Sequence, residues 1–325
     1  MKKNHDVKDD CYEMSPEEIE KLVTEAKEMI NKNPQHIESI ISLVEFSLNN
    51  DDFDAALELL DKGLKQNPNN YILLFKKAMI FLDDLQEVNL ALSILEGLLN
   101  EFVHLNSDEI LQKFDEEIVL DTILMTIDCY RLNNQFAMAF EIALKLKEIF
   151  PNEEVAVLAL AGAHFELGEY KKALFLLEPN IQEAKNADFI WTQAQIHCAQ
   201  GDYAKADACF KKAYELDEHS YYIPRRFSES EFFSFFEEAL DEMPADLQSA
   251  LKDFNLHIKP IVPVEWITQN LGKLSPVTVA TTLGHDNSKH ITIFQKNIEN
   301  SSPLIDDIKN NITGALIYEL ENIAE

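Results

Sequence analysis

Small residues recur at nearly constant intervals through the first two thirds of the chain. The positions are Ala56, Ala91, Ala139, Ala173 and Ala206, and the intervals between them are 35, 48, 34 and 33 residues. Such a period predicts stacked pairs of helices, because each pair buries its apolar face only against its neighbours. We expect the alanines where the helices of a pair cross, since a small side chain lets two backbones approach closely. The single long interval predicts an insertion or an extended helix near residues 100–118.

Turn signals precede these alanines. A Gly-Glu-Tyr triplet at 168–170 and a Gly-Asp-Tyr triplet at 201–203 stand between two apolar helical patterns, and Phe136 takes the place of the tyrosine in an earlier copy. The pattern resembles the tetratricopeptide repeat in about five copies over residues 36–220. This resemblance implies a superhelix of helical hairpins whose concave face binds a protein or peptide. Residues 1–35 are then a tail and a capping helix that starts with the capping-box pair Ser15 and Glu18.

The inner face of the last two copies has an unusual composition. Many tetratricopeptide proteins bind acidic peptide ends with Lys, Arg and Asn on the first helix of each repeat, whereas here the corresponding residues are Leu158, Phe165, Trp191 and Gln195. One interpretation is a binding face for an apolar peptide or for the second domain of the same chain. The alternative is that these side chains pack inside the superhelix.

The chain is strongly acidic. Fifty-eight Asp and Glu against 28 Lys and Arg give a formal charge of −30, which repels phosphate backbones and anionic lipid. We therefore expect neither nucleic acid nor a membrane as partner. The first residues lack the apolar core of a signal peptide, which predicts a cytoplasmic location. In that reducing compartment, the four cysteines are expected to be structural thiols. They are Cys11, Cys129, Cys198 and Cys209.

The composition changes after residue 220 and predicts a second, α+β domain over residues 224–325. Ser228 and Glu231 form a capping box in front of a phenylalanine-rich helix. Strands are then expected at "NLHIKPIVP", at 277–283 and at 291–294, with a Gly-His-Asp-Asn turn between the last two. A final helix follows from Ser302. The predicted fold is thus mainly α, a helical-hairpin superhelix with a small α+β domain behind it.

The order of these elements resembles the minimal bacterial zincin-like metallopeptidase domain. In that family the last helix carries H-E-x-x-H, with two His as zinc ligands and the Glu as general base. Matched position by position, the motif reads "YELEN" here, with Tyr318 and Asn322 at the two His positions and Glu319 at the base. A phenol that ionises near pH 10 and a neutral amide are poor zinc ligands. The resemblance therefore implies a domain that has lost its metal and has no catalytic residue.

Other histidines offer no recognised ligand spacing. His285, Asp286 and His290 are close in sequence, but turn residues of this kind are usually polar surface groups, and His257 is expected on the surface of a strand.

The expected function is a non-catalytic interaction scaffold without metal or cofactor. Its repeats would bind a protein or peptide, which includes the chain's own C-terminal domain as a candidate. The alternative is an active zinc metallopeptidase with unconventional ligands, in which the repeats recruit substrate. A third interpretation is an unrelated α+β module at the C-terminus.

Overall fold

The computed structural model of the chain describes residues 16–33, 36–102, 105, 107–183, 186–270, 273–283 and 289–324. Helices dominate up to residue 216. They are α1 (Pro16–Lys32), α2 (Ile37–Leu48), α3 (Phe53–Gln66), α4 (Tyr71–Met79, extended by a π-helical turn Ile80–Asp84), α5 (Val88–Phe102), α6 (Ser107–Lys113), α7 (Glu116–Leu132), α8 (Phe136–Ile149), α9 (Glu154–Glu166), α10 (Tyr170–Glu183), α11 (Ala187–Ala199) and α12 (Tyr203–Leu216). The predicted capping residue Ser15 lies outside the described residues.

The periodic alanines are all fully buried. Five residues before each of them, the turn between two helices contains a residue with positive φ, a conformation that L side chains rarely adopt. These residues are Asp51 (56°), Gln86 (57°), Asn134 (53°), Gly168 (75°) and Gly201 (79°). Turn and alanine thus repeat in the same register, which confirms the mainly helical fold built from stacked hairpins. In the long interval, α6 follows α5 and precedes α7 along the chain, where extra structure was predicted.

The chain divides into two compact units. The first comprises residues 1–105 and 114–122, and the second comprises residues 106–113 and 123–325. In the first unit, α2, α3 and α4 share a core built around Val44, Leu60 and Leu73. Helix α3 approaches its neighbours at Gly63, where an added Cβ would lie 2.7 Å from a methyl group of Leu73. A side chain larger than hydrogen would therefore require the methyl groups of Leu73 and Ile40 to move.

The second unit contains a small sheet beyond the helical hairpins. The remaining elements are α13 (Glu229–Glu242), α14 (Ala245–Leu251), β1 (Asn255–Lys259), α15 (Val264–Gln269), β2 (Ala280–Thr281), β3 (His290–Phe294), α16 (Gln295–Asn300) and α17 (Ile305–Ala324). The strand order is β1-β3-β2, with β1 parallel and β2 antiparallel to β3. Helices α13 and α17 cover one face of the sheet, where Phe232, Ile291 and Leu316 are buried together. The Ser228 capping box at the start of α13 is formed as predicted.

The strand predicted over residues 277–283 is much shorter in the structure, because β2 spans only two residues. The side chain of Asn297 explains the difference. Its Nδ2 donates to the carbonyls of Pro276 (2.7 Å) and Thr278 (2.6 Å), so these acceptors are satisfied by a side chain rather than by a neighbouring strand. Within the described residues, no helix is both long and apolar enough to cross a membrane.

Candidate functional site

The three residues that were matched to the H-E-x-x-H positions lie along one wall of a cleft in the second unit. Tyr318, Glu319 and Asn322 are on adjacent turns of α17 and line a cleft of about 730 Å³. The opposite walls are formed by residues 278–283, around the edge strand β2, and by residues 133–138, at the turn between α7 and α8. The structure thus brings Tyr318, Glu319 and Asn322 together, opposite the turn between α7 and α8.

Glu319 is the buried acidic group of this cleft, with 8% of its surface exposed. Its Oε2 accepts a hydrogen bond of 2.8 Å from the backbone N–H of Thr282, just beyond β2. Burial raises the pKa of Glu319, and the hydrogen bond from Thr282 lowers it in part. One carboxylate oxygen is therefore committed to holding α17 against the sheet.

Tyr318 is half-exposed and joins α17 to the hairpin of α7 and α8. Its phenol oxygen accepts a hydrogen bond of 3.0 Å from Nδ2 of Asn134, the positive-φ residue of that turn. An asparagine tolerates this backbone conformation better than most residues do, and its side-chain amide contacts Tyr318 on α17. Tyr318 therefore makes a contact between α17 and the turn that joins α7 to α8.

A second cleft of about 650 Å³ shares Tyr318 and Glu319 with the first and extends to Arg131 and Glu166. Arg131 Nε lies 2.8 Å from Glu166 Oε1. Burial raises the pKa of Glu166, and the positive charge of Arg131 opposes that rise. Glu166 is on α9, which carries two of the predicted inner-face residues, whereas Arg131 is on α7.

The four predicted inner-face residues do not converge on one site. Leu158 and Phe165 belong to the core around α9 and α10, where Phe165 is buried and its ring lies 5.9 Å from that of Tyr170. Gln195 is half-buried on α11. Trp191 is part of the next core and packs edge-on against Phe210, with 4.6 Å between ring centroids.

Trp191 is also covered by the segment that enters the C-terminal region. Its ring centroid lies 5.0 Å from that of Tyr221 and 5.3 Å from that of Tyr222. The Tyr222 hydroxyl donates to the carbonyl of Asn300 at the end of α16. On the same helical hairpin, Cys198 Sγ accepts a hydrogen bond of 3.3 Å from Asn300 Nδ2.

A buried ion-pair network continues this contact. Arg226 donates from Nε to Asp207 of α12 at 2.8 Å, and from Nη1 to Glu299 of α16 at 3.2 Å. Glu299 is fully buried and also binds Lys296 Nζ at 2.9 Å. Charges this deep are stable only when they are paired, so the network fixes α16 against the hairpin of α11 and α12.

Comparison with known proteins identifies that hairpin. The tetratricopeptide repeat family model matches residues 187–220. This segment is a tetratricopeptide repeat. Its helices α11 and α12 carry the buried Ala206 and Phe210 of the periodic pattern, so the other hairpins in register with it have the same repeat geometry. No curated protein matches the chain.

Several solved structures are similar to part of the chain. YrrB, a tetratricopeptide protein with an unusual peptide-binding site, is 15% identical, with 60% of this chain and 93% of that chain covered and a TM-score of 0.45. A thermophilic tetratricopeptide protein of Thermus thermophilus is 19% identical, with 56% and 92% covered and a TM-score of 0.42. BtubC from P. vanneervenii is 18% identical, with 66% and 94% covered and a TM-score of 0.47.

The sequence did not reveal the residues that join the last tetratricopeptide repeat to the C-terminal region. Arg226 is half of a double arginine in an acidic chain, which is a usable signal for a buried ion pair. Glu299 and Asn300 lie in "QKNIEN", which is polar like any exposed helix. Their burial depends on contacts with residues about 70 to 100 positions away, and no periodic pattern reports such contacts.

His257 and His290 are not among the residues that line the cleft. His257 Nε2 and His290 Nδ1 are 2.8 Å apart on neighbouring strands, whereas His285 and Asp286 lie outside the described residues. In the described ranges, no group of three or more His, Cys, Asp or Glu is close enough to hold a metal ion. Of the cysteines, Cys129 and Cys198 are buried, Cys209 is half-buried, and Cys11 is not among the described residues.

Proposed function

We propose that this chain is a non-catalytic interaction scaffold, in which helical repeats bind a protein or peptide and a zincin-like C-terminal domain binds no zinc. The observation that carries the proposal is the chemistry of the cleft. Tyr318, Glu319 and Asn322 stand together on α17, where a zincin would present two imidazoles and a glutamate.

These side chains do not fit zinc. The metal prefers imidazole nitrogen, thiolate sulfur and carboxylate oxygen, and a phenol or a neutral amide is a weak ligand at neutral pH. The remaining carboxylate, Glu319, already accepts a hydrogen bond from Thr282, and the phenol of Tyr318 accepts one from Asn134. Each group has a structural role that a metal would have to displace, so no catalytic step is assigned to zinc.

The interaction role draws support from the repeats themselves. A tetratricopeptide repeat supplies a binding surface and no chemistry, and the described hairpins repeat in its register. Part of that surface is used by the chain itself, because Trp191 and Cys198 contact the segment at 221–222 and the end of α16. We infer that the C-terminal domain is an internal ligand of the last repeats.

Replacing Glu319 with glutamine separates a structural carboxylate from a catalytic one. Burial raises the pKa of the Glu319 carboxyl group in the folded chain above its value in the unfolded chain. The stability that this group contributes is therefore fully present at pH values below the pKa of the unfolded chain, and it is lost as the pH rises through the pKa of the folded chain. The amide cannot ionise, yet its oxygen can still accept from Thr282. We expect Glu319→Gln to raise the free energy of unfolding at pH 7 by less than about 1 kcal/mol, and to flatten its decline above pH ~4.5.

Urea unfolding of both proteins between pH 4.5 and 7.5 measures this difference. In parallel, the wild type and Glu319→Gln are incubated with casein and added zinc, and each is tested for capture of its protein partners from cell extract. We expect no hydrolysis by either protein and the same captured proteins from both. Zinc-dependent hydrolysis by the wild type that disappears in Glu319→Gln would show a working peptidase and refute the scaffold.

A further inference from the structure

The first unit exposes apolar side chains in a groove between α1 and α2. Leu22 and Met29 of α1 are 47% and 39% exposed, and Phe46 of α2 is 38% exposed. Together with Ala26 they line a groove of about 430 Å³. Leu22, Ala26 and Met29 follow the spacing of one helix face, whereas Ile30 packs against the core of the first unit. Leu22 and Met29 therefore remain exposed on this face of α1, whereas Ala26 between them is buried.

The packing of helices in the second unit indicates which kind of structural element fits this groove. In the second unit, α9 packs against its partner α10 and also against α11, the first helix of the next pair. Helix α1 precedes α2 as α10 precedes α11, and α1 packs against α2. Among the described residues, no helix packs against α1 and α2 in the way that α9 packs against α10 and α11. The groove thus matches the position of the first helix of a repeat.

The charge around the groove selects among possible helices. Three carboxylates line it, from Glu25, Glu38 and Glu45. Glu25 lies 3.8 Å from Lys21 Nζ and Glu45 lies 3.5 Å from Lys76 Nζ, but both glutamate side chains are more than half exposed. The chain as a whole carries a formal charge of −30. A second copy would bring the same acidic rim and the same net charge, which opposes self-association. A helix with basic residues beside its apolar stripe has the complementary charge.

We propose that the groove between α1 and α2 binds an amphipathic, basic α-helix of a partner protein. This inference rests on the proposed scaffold function and names the partner's chemistry. The partner helix presents apolar residues at i, i+3 or i+4, and i+7 to Leu22, Met29 and Phe46, and its Lys or Arg residues face the carboxylates. It completes the first hairpin of the array as α9 completes a later one.

The test uses the full chain and a fluorescein-labelled peptide of about 18 residues, with Leu on one helix face and Lys elsewhere. A second peptide has the same composition with its leucines spread around the helix. Fluorescence anisotropy at about 0.15 M salt measures both affinities. We expect the striped peptide to bind at least tenfold more tightly than the scrambled one, because only the former can bury a continuous stripe.

Two variants with the same change in charge locate the site. Phe46→Glu is expected to weaken binding of the striped peptide at least tenfold. Leu90→Glu, on α5 where the leucine is 49% exposed, should leave it unchanged. Non-specific attraction to an acidic chain would instead strengthen with either substitution. Met29→Glu provides a second groove variant, and urea unfolding verifies that each variant is folded.

Several results would overturn the proposal. These are equal affinity for the two peptides, no loss of affinity in either groove variant, or a dimer in sedimentation velocity that Phe46→Glu abolishes. Tenfold tighter peptide binding by a chain lacking residues 1–14 would identify that segment as the occupant. The scaffold function is tested separately: partner capture that persists in Phe46→Glu contradicts the groove alone, whereas absence of any captured partner for the wild type contradicts the scaffold.

Discussion

Replacing Glu299 with alanine is expected to lower the free energy of unfolding by about 3–5 kcal/mol. Glu299 is fully buried on α16, where its carboxylate accepts from Gln295 Nε2 at 2.7 Å, Lys296 Nζ at 2.9 Å and Arg226 Nη1 at 3.2 Å. Removing it leaves the cations of Arg226 and Lys296 in an environment that solvates them poorly. Lys296 loses its ion-pair partner and Arg226 keeps only Asp207, so the cost arises mainly from positive charge that is less well compensated. Urea unfolding followed by circular dichroism measures this cost.

A surface ion pair on the same part of the chain gives the matched control. Glu242 Oε1 lies 2.7 Å from Lys309 Nζ, a shorter separation than that between Glu299 and Arg226, yet the Glu242 side chain is 64% exposed. Glu242→Ala is expected to cost less than about 1 kcal/mol, because water solvates both groups once they separate. Equal costs for the two alanine variants would contradict the buried network.

Replacing Trp191 with alanine is expected to destabilise the chain by roughly 2–4 kcal/mol. The indole packs between Phe210 of its own tetratricopeptide repeat and the rings of Tyr221 and Tyr222. Its removal leaves a cavity and also releases the segment that leads into the C-terminal domain. Phe175→Ala is the control, because that ring is 74% exposed and its loss should cost less than about 0.5 kcal/mol.

Limited proteolysis gives an independent measurement of the same contact. Cleavage between residues 221 and 228 should become at least tenfold faster in Trp191→Ala, since local opening no longer has to break the contact with the tyrosine rings. Phe175→Ala should be cleaved at the wild-type rate. A destabilised Trp191→Ala with unchanged cleavage at 221–228 would mean that the indole supports the repeat core alone.

The sequence was sufficient to predict the helical hairpins because their packing imposes a short-range rule. Ala139 and Ala206 must be small wherever two helices cross, so the rule repeats with the hairpin and is visible without any structure. The turn residues recur in the same register, but they are of different residue types. The residue with positive φ is a glycine in two copies, Gly168 and Gly201, but it is Asp51 or Asn134 in others. Residue type alone would not identify the latter as turn positions.

The candidate cleft was predictable only in part. The spacing of Tyr318 and Asn322 on one helix placed them on the same face, and the structure shows them along the same cleft. The wall formed by Asn134 could not be anticipated, because a contact across 184 positions leaves no periodic signal. The shortening of β2 has a similar origin, since the side chain of Asn297 takes up carbonyls that a strand would offer to its neighbour.

The zinc content of the full chain distinguishes a scaffold that binds no zinc from a zinc peptidase. We compare the wild type with a double variant, Tyr318→His with Asn322→His, which creates an H-E-x-x-H sequence on α17. Both proteins are equilibrated with excess zinc, dialysed and analysed by elemental mass spectrometry against protein concentration. If the chain is a scaffold that binds no zinc, we expect far less than one zinc ion per chain in the wild type and clearly more in the double variant. One zinc per wild-type chain would contradict it.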